Sequence, residues 1–150
     1  MSTLAGKTLF ITGASRGIGH ATVIRFSSAG WRVITCSRHA FPEDCPWDAG
    51  PEDHIQVDLG NPKDTTRAIS EIRERLEGGA LHALVNNAAI IAQQSRLEDI
   101  GFERMRRMFA VNAIGSILCA QQAIKRMAYR HGGRGGSVIN ISSASARLGS

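Results

Sequence analysis

The stretch Gly13-Ala14-Ser15-Arg16-Gly17-Ile18-Gly19 lies between an apolar run, residues 9–12, and a segment with helical character. Glycines here let a strand turn sharply into a helix and bring backbone N–H groups against a pyrophosphate, which a Cβ atom would obstruct. The stretch lacks the Lys-Ser/Thr pair that ends a nucleoside triphosphate loop. A flexible glycine turn without a ligand is the alternative. We predict a dinucleotide-binding turn with contacts from Gly13, Ser15, Arg16, Gly17, Ile18 and Gly19.

The composition of the 150 residues is that of an ordinary globular domain, with 43% hydrophobic and 21% charged side chains. This balance excludes disordered and fibrous classes and suits one domain, residues 1–150, with a sizeable core. No apolar run approaches the ~20 residues that a membrane-spanning helix requires, and the N-terminus lacks the layout of a secretory signal. We expect a cytoplasmic protein without a membrane partner.

The cysteines and the charge indicate neither a metal site nor a nucleic-acid site. Cys36, Cys45 and Cys119 form no C-x-x-C pair, so we expect reduced, structural thiols. The net charge of +5 is compatible with an acidic partner, but basic residues on solvated helix faces are the commoner cause. Aromatic residues make up only 5% of the chain and leave few surfaces on which bases stack. No nucleic-acid partner is expected.

Apolar strand-like runs alternate with helical patterns along the chain, which predicts β-α units in a parallel sheet. The runs are rich in Val, Ile and Leu and too apolar for a sheet with one wet face, so helices should cover both faces. Strands are predicted at residues 8–12, 32–37, 54–59, 81–86 and 137–142.

Helices are predicted between these strands, at residues 17–28, from Asn61-Pro62 to about Leu76, and at about 102–129. In the last of these, Met105 and Met108 fall on the apolar stripe, which is typical of core packing. Residues 41–51 contain three prolines and no helical periodicity. An irregular loop is therefore expected there.

Two motifs follow the glycine turn in order. Asp58-Leu59 ends the third predicted strand, and Asn86-Asn87-Ala88-Ala89 ends the fourth. Together with the Thr-Gly-x-x-x-Gly-x-Gly spacing of the turn, they resemble the short-chain dehydrogenase/reductase family, in which Ala89 is usually glycine. The resemblance implies a Rossmann-type doubly wound α/β fold of about five strands in the order 3-2-1-4-5. It also implies cofactor contacts from Asp58, Leu59, Asn86, Ala88 and Val111.

Two further motifs imply catalytic residues. Residues 111–115 resemble the family segment with a catalytic asparagine, so Asn112 is implied to bend the helix and hold a water in a proton relay. An asparagine that caps or back-bonds within the helix is the alternative. Residues 136–143 resemble the fifth strand and active-site serine, which implies that Ser143 orients the substrate oxygen for hydride transfer. Serines that merely end a strand are the alternative.

The residues after the second strand bear on cofactor choice. An acidic side chain there binds the ribose 2′-hydroxyl of NAD and repels a 2′-phosphate. This chain has Ser37-Arg38-His39 instead. Arg38, with Arg16 from the glycine turn on the other side, is suited to clamp a 2′-phosphate. The sequence therefore favours NADP(H) over NAD(H).

In the family, a tyrosine that acts as general acid/base and a lysine that lowers its pKa follow the active-site serine, beyond Ser150 of this chain. The resemblance covers essentially all of this chain but only the first half to two thirds of a typical member. We expect a C-terminally truncated, inactive portion of an NADP(H)-dependent oxidoreductase that interconverts a small carbonyl and an alcohol and forms a homo-oligomer. The alternative is a non-catalytic dinucleotide-binding sensor or partner-binding module.

Overall fold

The computed structural model describes residues 6–41 and 50–149. Its strands are β1 (Thr8–Thr12), β2 (Arg32–Ser37), β3 (His54–Gln56), β4 (Ala83–Asn86) and β5 (Ser137–Asn140). They pair in parallel in the order β3-β2-β1-β4-β5, which confirms the α/β class and the strand order. The order reverses between β1 and β4, and a crevice for a ligand forms at such a reversal, outside the carboxyl ends of the strands.

Helices connect the strands: α1 (Gly17–Ser28), α2 (Pro62–Arg75), α3 (Phe102–Phe109), α4 (Ser116–Met127) and the short α5 (Ser145–Leu148). Single 3₁₀ turns lie at Pro51–Asp53, Leu97–Asp99 and Tyr129–His131. The start of α2 is well specified by its sequence. The Asn61 side-chain oxygen accepts the N–H groups of Lys63 at 3.1 Å and Asp64 at 3.3 Å, and a proline occupies the first helical position.

The helix predicted over residues 102–129 is not continuous. Residues Ala110–Gly115 form a π-helical segment between α3 and α4, and α4 ends at Met127. A π-helical turn carries its hydrogen bonds to the fifth residue instead of the fourth, which a hydropathy pattern does not reveal. The irregularity falls on Asn112, where the family resemblance implies a local bend.

Three strands are shorter than predicted: β3 and β5 leave regular strand geometry before their apolar runs end, and β4 begins at Ala83 instead of residue 81. Hydrogen bonding to the neighbouring strand continues past these ends, from the Val57 N–H to the Ser37 carbonyl at 2.8 Å and from the Ile141 N–H to the Asn86 carbonyl at 2.9 Å. Strand ends defined by hydropathy and by geometry differ by a few residues for this reason. Helix α5 was not predicted.

Two predictions fall partly outside the described ranges. Of the expected loop at 41–51, residues 42–49 lie outside the described residues, as does Cys45. The other two cysteines are free and buried. Burial raises the pKa of the Cys119 thiol to about 12 and that of Cys36 well above its usual value, so both are inert, structural thiols.

Helices cover both faces of the sheet over β1, β2 and β4, as predicted, but all four residues of the edge strand β5 are exposed. Alternate residues of β1 point to opposite sides. Phe10 joins a core cluster with Ile72 of α2 and Cys119 of α4. Leu9 on the other side joins a second cluster with Val23 of α1.

The prediction that the methionines of the long helix pack in the core is wrong for Met105. This side chain is 41% exposed, and α3 buries none of its residues. Phe102 and Phe109 on the same helix are also exposed, while Met108 is half-buried. Helical periodicity shows which side of a helix is apolar but not whether another element covers that side, and α3 leaves its apolar side largely open.

Candidate functional site

A cleft of about 580 Å³ opens at the carboxyl ends of the strands, beside the reversal of strand order. Ligands of open α/β sheets bind at this position. The predicted cofactor residues that line the cleft are Gly13, Ser15, Arg16, Gly17, Ile18, Ser37, Arg38, Asp58, Leu59, Ala88 and Val111. Gly19 and Asn86 were also predicted as cofactor residues, and they do not line it.

Each glycine of the turn is suited to its position for a different structural reason. Gly13 has a φ of +69°, and a Cβ on it would lie 2.7 Å from the Cα of Ala88. A Cβ on Gly19 would lie 2.2 Å from the Gly13 carbonyl oxygen. Gly17 has a φ of +59° and open space around its Cβ position. Gly13 and Gly19 therefore allow the turn to pack tightly. Gly17 lines the cleft and has no side chain to occupy it.

The N-terminus of α1 opens on the cleft without a capping side chain. Arg16, at the N-cap position, makes no side-chain capping bond, and the first turn contains no acidic residue. By contrast, Asn61 caps α2. The first N–H groups of a helix need acceptors, and the helix dipole favours an anion there. This helix end is therefore suited to a phosphate ligand.

Thr12 and Asn87 join the glycine turn to the segment after β4. The buried Thr12 hydroxyl oxygen accepts the N–H groups of Asn87 at 3.0 Å and Ala88 at 2.9 Å. The Asn87 side chain donates to the carbonyl oxygens of Thr12 at 3.1 Å and Gly13 at 3.0 Å. Neither residue was predicted as a site residue, although Asn87 lines the cleft and the buried Thr12 holds the backbone of Asn87 and Ala88 in place.

Asn86 has a different role from its neighbour Asn87. Its side chain is buried and donates to the Asn140 side-chain oxygen at 2.9 Å and to the Ser116 carbonyl at 3.2 Å, so it joins β4 to β5 and α4. Successive residues at a strand end point in opposite directions. That alternation was the available signal that only one asparagine of the pair can face the cleft.

Asp58 is held in place by Arg107 and by its own turn. Its Oδ1 accepts from the Arg107 guanidinium at 2.9 Å and from the Gly60 N–H at 2.9 Å. Partial burial acts to raise the pKa of the Asp58 carboxyl, but these two hydrogen bonds and the positive charges of Arg107 and Arg38 together hold that pKa below its usual value. Asp58 thus presents an ionised carboxylate, a hydrogen-bond acceptor, to the cleft.

Ser37 and Arg38 occupy the turn after β2. Ser37 is buried, and its hydroxyl donates to the His39 carbonyl at 3.0 Å and accepts the His39 N–H at 3.2 Å. Arg38 and Arg16 both line the cleft, and among residues 6–41 and 50–149 neither forms an ion pair with a carboxylate. Two guanidinium groups are therefore available to an anionic ligand, while the Ser37 hydroxyl is committed to the turn.

Asn112 lies on the π-helical segment and is exposed. Its carboxamide binds the backbone N–H and carbonyl of Ile90, in the segment after β4 that lines the cleft. The side chain therefore neither caps nor back-bonds within its own helix. Asn112 itself does not line the cleft, but its neighbour Val111 does.

Ser143 follows β5 and precedes α5. Its exposed hydroxyl oxygen accepts the Ser145 N–H at 3.2 Å. Ser143 is not part of the cleft wall. Its hydroxyl hydrogen has no acceptor within the part of the chain that the structure describes, so the group retains a donor for a ligand.

A model of the short chain dehydrogenase family matches residues 7–150. The chain belongs to this family. No helix of residues 6–41 and 50–149 combines the length and the apolar character needed to cross a membrane. Within the same ranges, no three His, Cys, Asp or Glu side chains converge on a point where a metal ion could bind.

Among relatives, the protein FixR of Bradyrhizobium diazoefficiens is 43% identical over 143 residues, 91% of this chain and 50% of FixR. The uncharacterized oxidoreductase YgfF of Escherichia coli is 36% identical over 146 residues, 93% of this chain and 58% of YgfF. The chain thus spans about half the length of these relatives.

Among solved structures, an oxidoreductase of the short chain dehydrogenase/reductase family from Brucella ovis, in complex with a partially ordered NAD, is 51% identical. It superposes with a TM-score of 0.78 over 87% of this chain and 60% of its own. An identity at this level supports the same fold.

Proposed function

We propose that this chain forms the dinucleotide-binding part of an oxidoreductase that interconverts a carbonyl and an alcohol by hydride transfer. The observation that carries the proposal is the uncapped N-terminus of α1, which opens on the cleft through the turn at Gly13, Gly17 and Gly19. The geometry fits a pyrophosphate because the turn supplies backbone N–H donors and no Cβ fills the space at Gly17. The NAD of the Brucella ovis structure supports the same ligand class.

A bound nicotinamide dinucleotide supplies the hydride, and the residues of this chain hold and orient it. The glycine turn would hold the pyrophosphate, and the Asp58 carboxylate would accept a hydrogen bond from the adenine. Asn112 fixes the cleft wall through Ile90. Ser143, which follows β5 at the carboxyl edge of the sheet, would donate a hydrogen bond to the substrate oxygen and so position the carbonyl carbon for hydride transfer.

A proton donor for the substrate oxygen is a separate requirement. The chain has a single tyrosine, Tyr129, which lies before the amino end of β5, whereas the cleft lies at the carboxyl ends of the strands. Tyr129 therefore cannot protonate a substrate in the cleft. We propose that residues 1–150 alone bind the dinucleotide without turnover, because general acid catalysis typically contributes about 10²–10⁴-fold.

For the cofactor, we propose NADP(H) in preference to NAD(H). Arg38 and Arg16 line the cleft without carboxylate partners among the described residues, and no acidic side chain stands at the end of β2. A 2′-phosphate accepts several hydrogen bonds from guanidinium groups, and a 2′-hydroxyl gives them no charge to pair with.

Titration of NADPH and NADH, followed by nicotinamide fluorescence, tests the proposal. Wild-type protein is expected to bind NADPH more tightly, and Arg38→Asp to reverse the order. Arg134→Asp makes the same charge change at an exposed loop position outside the cleft and should leave both affinities unchanged. Tighter binding of NADH by the wild type, or an Arg38→Asp variant with unchanged affinities, would contradict the cofactor assignment.

A non-catalytic dinucleotide sensor is the second candidate function, favoured by the absence of a tyrosine at the cleft among the described residues. The two functions differ in one experiment. A protein that contains this chain together with a tyrosine and a lysine supplied after Ser143 should reduce a carbonyl compound with NADPH if it is an oxidoreductase. Saturable NADPH binding with no turnover in that protein indicates the sensor.

A further inference from the structure

The edge strand β3 holds the turn after β2 through two side chains. His54 Nε2 lies 2.8 Å from the His39 carbonyl oxygen, and Gln56 Nε2 donates to the Arg38 carbonyl oxygen at 3.0 Å. Residues 54 and 56 are two positions apart, so their side chains leave the strand on the same side. One strand therefore holds two successive carbonyl groups of the turn that carries Arg38.

The contacts of His54 assign it as a donor to the turn. Its Nδ1 lies 2.8 Å from the Thr35 hydroxyl oxygen. Burial lowers the pKa of His54, which favours the neutral ring. A neutral ring that accepts from Thr35 at Nδ1 carries its hydrogen on Nε2 and donates it to His39. The ring of Phe41 lies against the imidazole, with centroids 5.9 Å apart.

The turn itself adds a third restraint. The buried Ser37 hydroxyl bonds both the N–H and the carbonyl of His39. Arg38 thus stands between Ser37 and His39, whose positions are fixed by hydrogen bonds, and its own carbonyl is held by Gln56. Only the Arg38 side chain, which lines the cleft, remains to be ordered by a ligand.

We propose that His54 and Gln56 are positioning residues that set the cofactor preference of the cleft. This inference rests on the proposed function. By fixing the backbone of Arg38 before the ligand arrives, they reduce the freedom that the guanidinium loses when it binds a 2′-phosphate. They matter for NADPH, which carries that phosphate, and little for NADH, whose binding depends on the glycine turn and Asp58.

The test compares dissociation constants for NADPH and NADH in the wild type, Gln56→Ala and His54→Leu. Each substitution removes one hydrogen bond from the turn, so NADPH affinity should fall about three- to tenfold and NADH affinity by less than about twofold. His54→Gln keeps an N–H donor at the reach of Nε2 and should recover most of the NADPH affinity. Gln121→Ala, at an exposed position on α4 outside the cleft, should change neither constant.

The outcomes separate this inference from the proposed function. A wild type that binds neither dinucleotide contradicts the proposed function itself. A wild type that prefers NADPH, with the same NADPH-to-NADH ratio in Gln56→Ala, overturns the inference alone. Gln56 is exposed, so its variant decides the matter if His54→Leu fails to fold. Equal losses of NADPH and NADH affinity also overturn the inference, because they indicate a merely structural role.

Discussion

The carboxamide of Asn112 binds the backbone of Ile90 at both of its polar groups. Its Oδ1 accepts the Ile90 N–H at 2.8 Å, and its Nδ2 donates to the Ile90 carbonyl at 2.9 Å. Ile90 and the neighbour of Asn112, Val111, both line the cleft. The pair therefore ties the π-helical segment, which carries one candidate catalytic residue, to the wall of the dinucleotide site.

Substitution Asn112→Ala should loosen that wall. Two hydrogen bonds are lost, and the free energy of unfolding should fall by about 1–3 kcal/mol. Asn112→Asp keeps the acceptor for the Ile90 N–H and should lose less. Urea denaturation followed by circular dichroism measures both changes. Equal denaturation midpoints for wild type and Asn112→Ala would show that the pair contributes nothing to stability.

Gly19→Ala should abolish dinucleotide binding. The new Cβ would meet the Gly13 carbonyl oxygen at 2.2 Å and the Asn87 Nδ2 at 2.5 Å, so the glycine turn must shift. Overpacking of this kind typically costs about 1–3 kcal/mol of stability. Gly101→Ala is the matched control, since Gly101 has a φ of −69° and open space around it. An NADPH affinity that survives Gly19→Ala would contradict the tight packing of the turn.

Thr12→Val should be strongly destabilising although it preserves shape. The substitution leaves the backbone N–H groups of Asn87 and Ala88 without their acceptor, and Thr12 is only 1% exposed, so water does not readily replace the lost hydroxyl. Each buried donor left unsatisfied costs about 1–3 kcal/mol. Thr12→Ser keeps the hydroxyl and should retain most of the stability. Thermal unfolding of the two variants distinguishes the lost hydroxyl from the lost methyl group.

The stability of the protein should depend on pH through His54. Burial lowers the pKa of His54, the His39 carbonyl opposes that shift, and the charge of Arg75 adds to it. The unfolded chain therefore binds the proton more readily than the folded chain. The contribution is fully present above the unfolded pKa of about 6.5 and declines as the pH falls from there toward the folded pKa.

Urea denaturation at pH 7.5 and pH 5.5, for wild type and His54→Gln, isolates this contribution. All other ionisable groups are the same in the two proteins, so their contribution cancels in the difference. Wild type is expected to lose more stability than His54→Gln between the two values. A larger loss of stability in His54→Gln would mean that the folded state favours the protonated imidazole, which contradicts the assignment of a neutral ring.

Much of the fold could be predicted from the sequence because, at β1, α1 and β2, the local residue patterns agree with the β-α alternation of the whole chain. The bounds of these elements match the predictions, 8–12, 17–28 and 32–37. The apolar runs mark the two strands, the glycine-rich turn marks the start of α1, and Gly30 marks its end. The π-helical segment was not predicted because a change in hydrogen-bond register leaves the hydrophobic pattern unaltered.

The site was predicted less completely than the fold, for a geometric reason. The motif Asn86-Asn87 names two adjacent residues of the same type, and strand alternation sends only Asn87 toward the glycine turn. Thr12 was missed because a threonine inside a strand is ordinarily a β-former, and only the packed structure shows two N–H groups meeting its hydroxyl. Long-range contacts of this kind have no local sequence signal.

The location of NADPH on the protein tests the central claim most directly. Backbone amide shifts of the nitrogen-15-labelled protein, recorded during titration with NADPH, are expected to change most at residues 13–19 and 87–90 and at Arg38. Absence of any saturable change would contradict the account. Shift changes confined to a separate cavity, which is lined by residues that include Arg73, Lys125 and Arg126, would also contradict it.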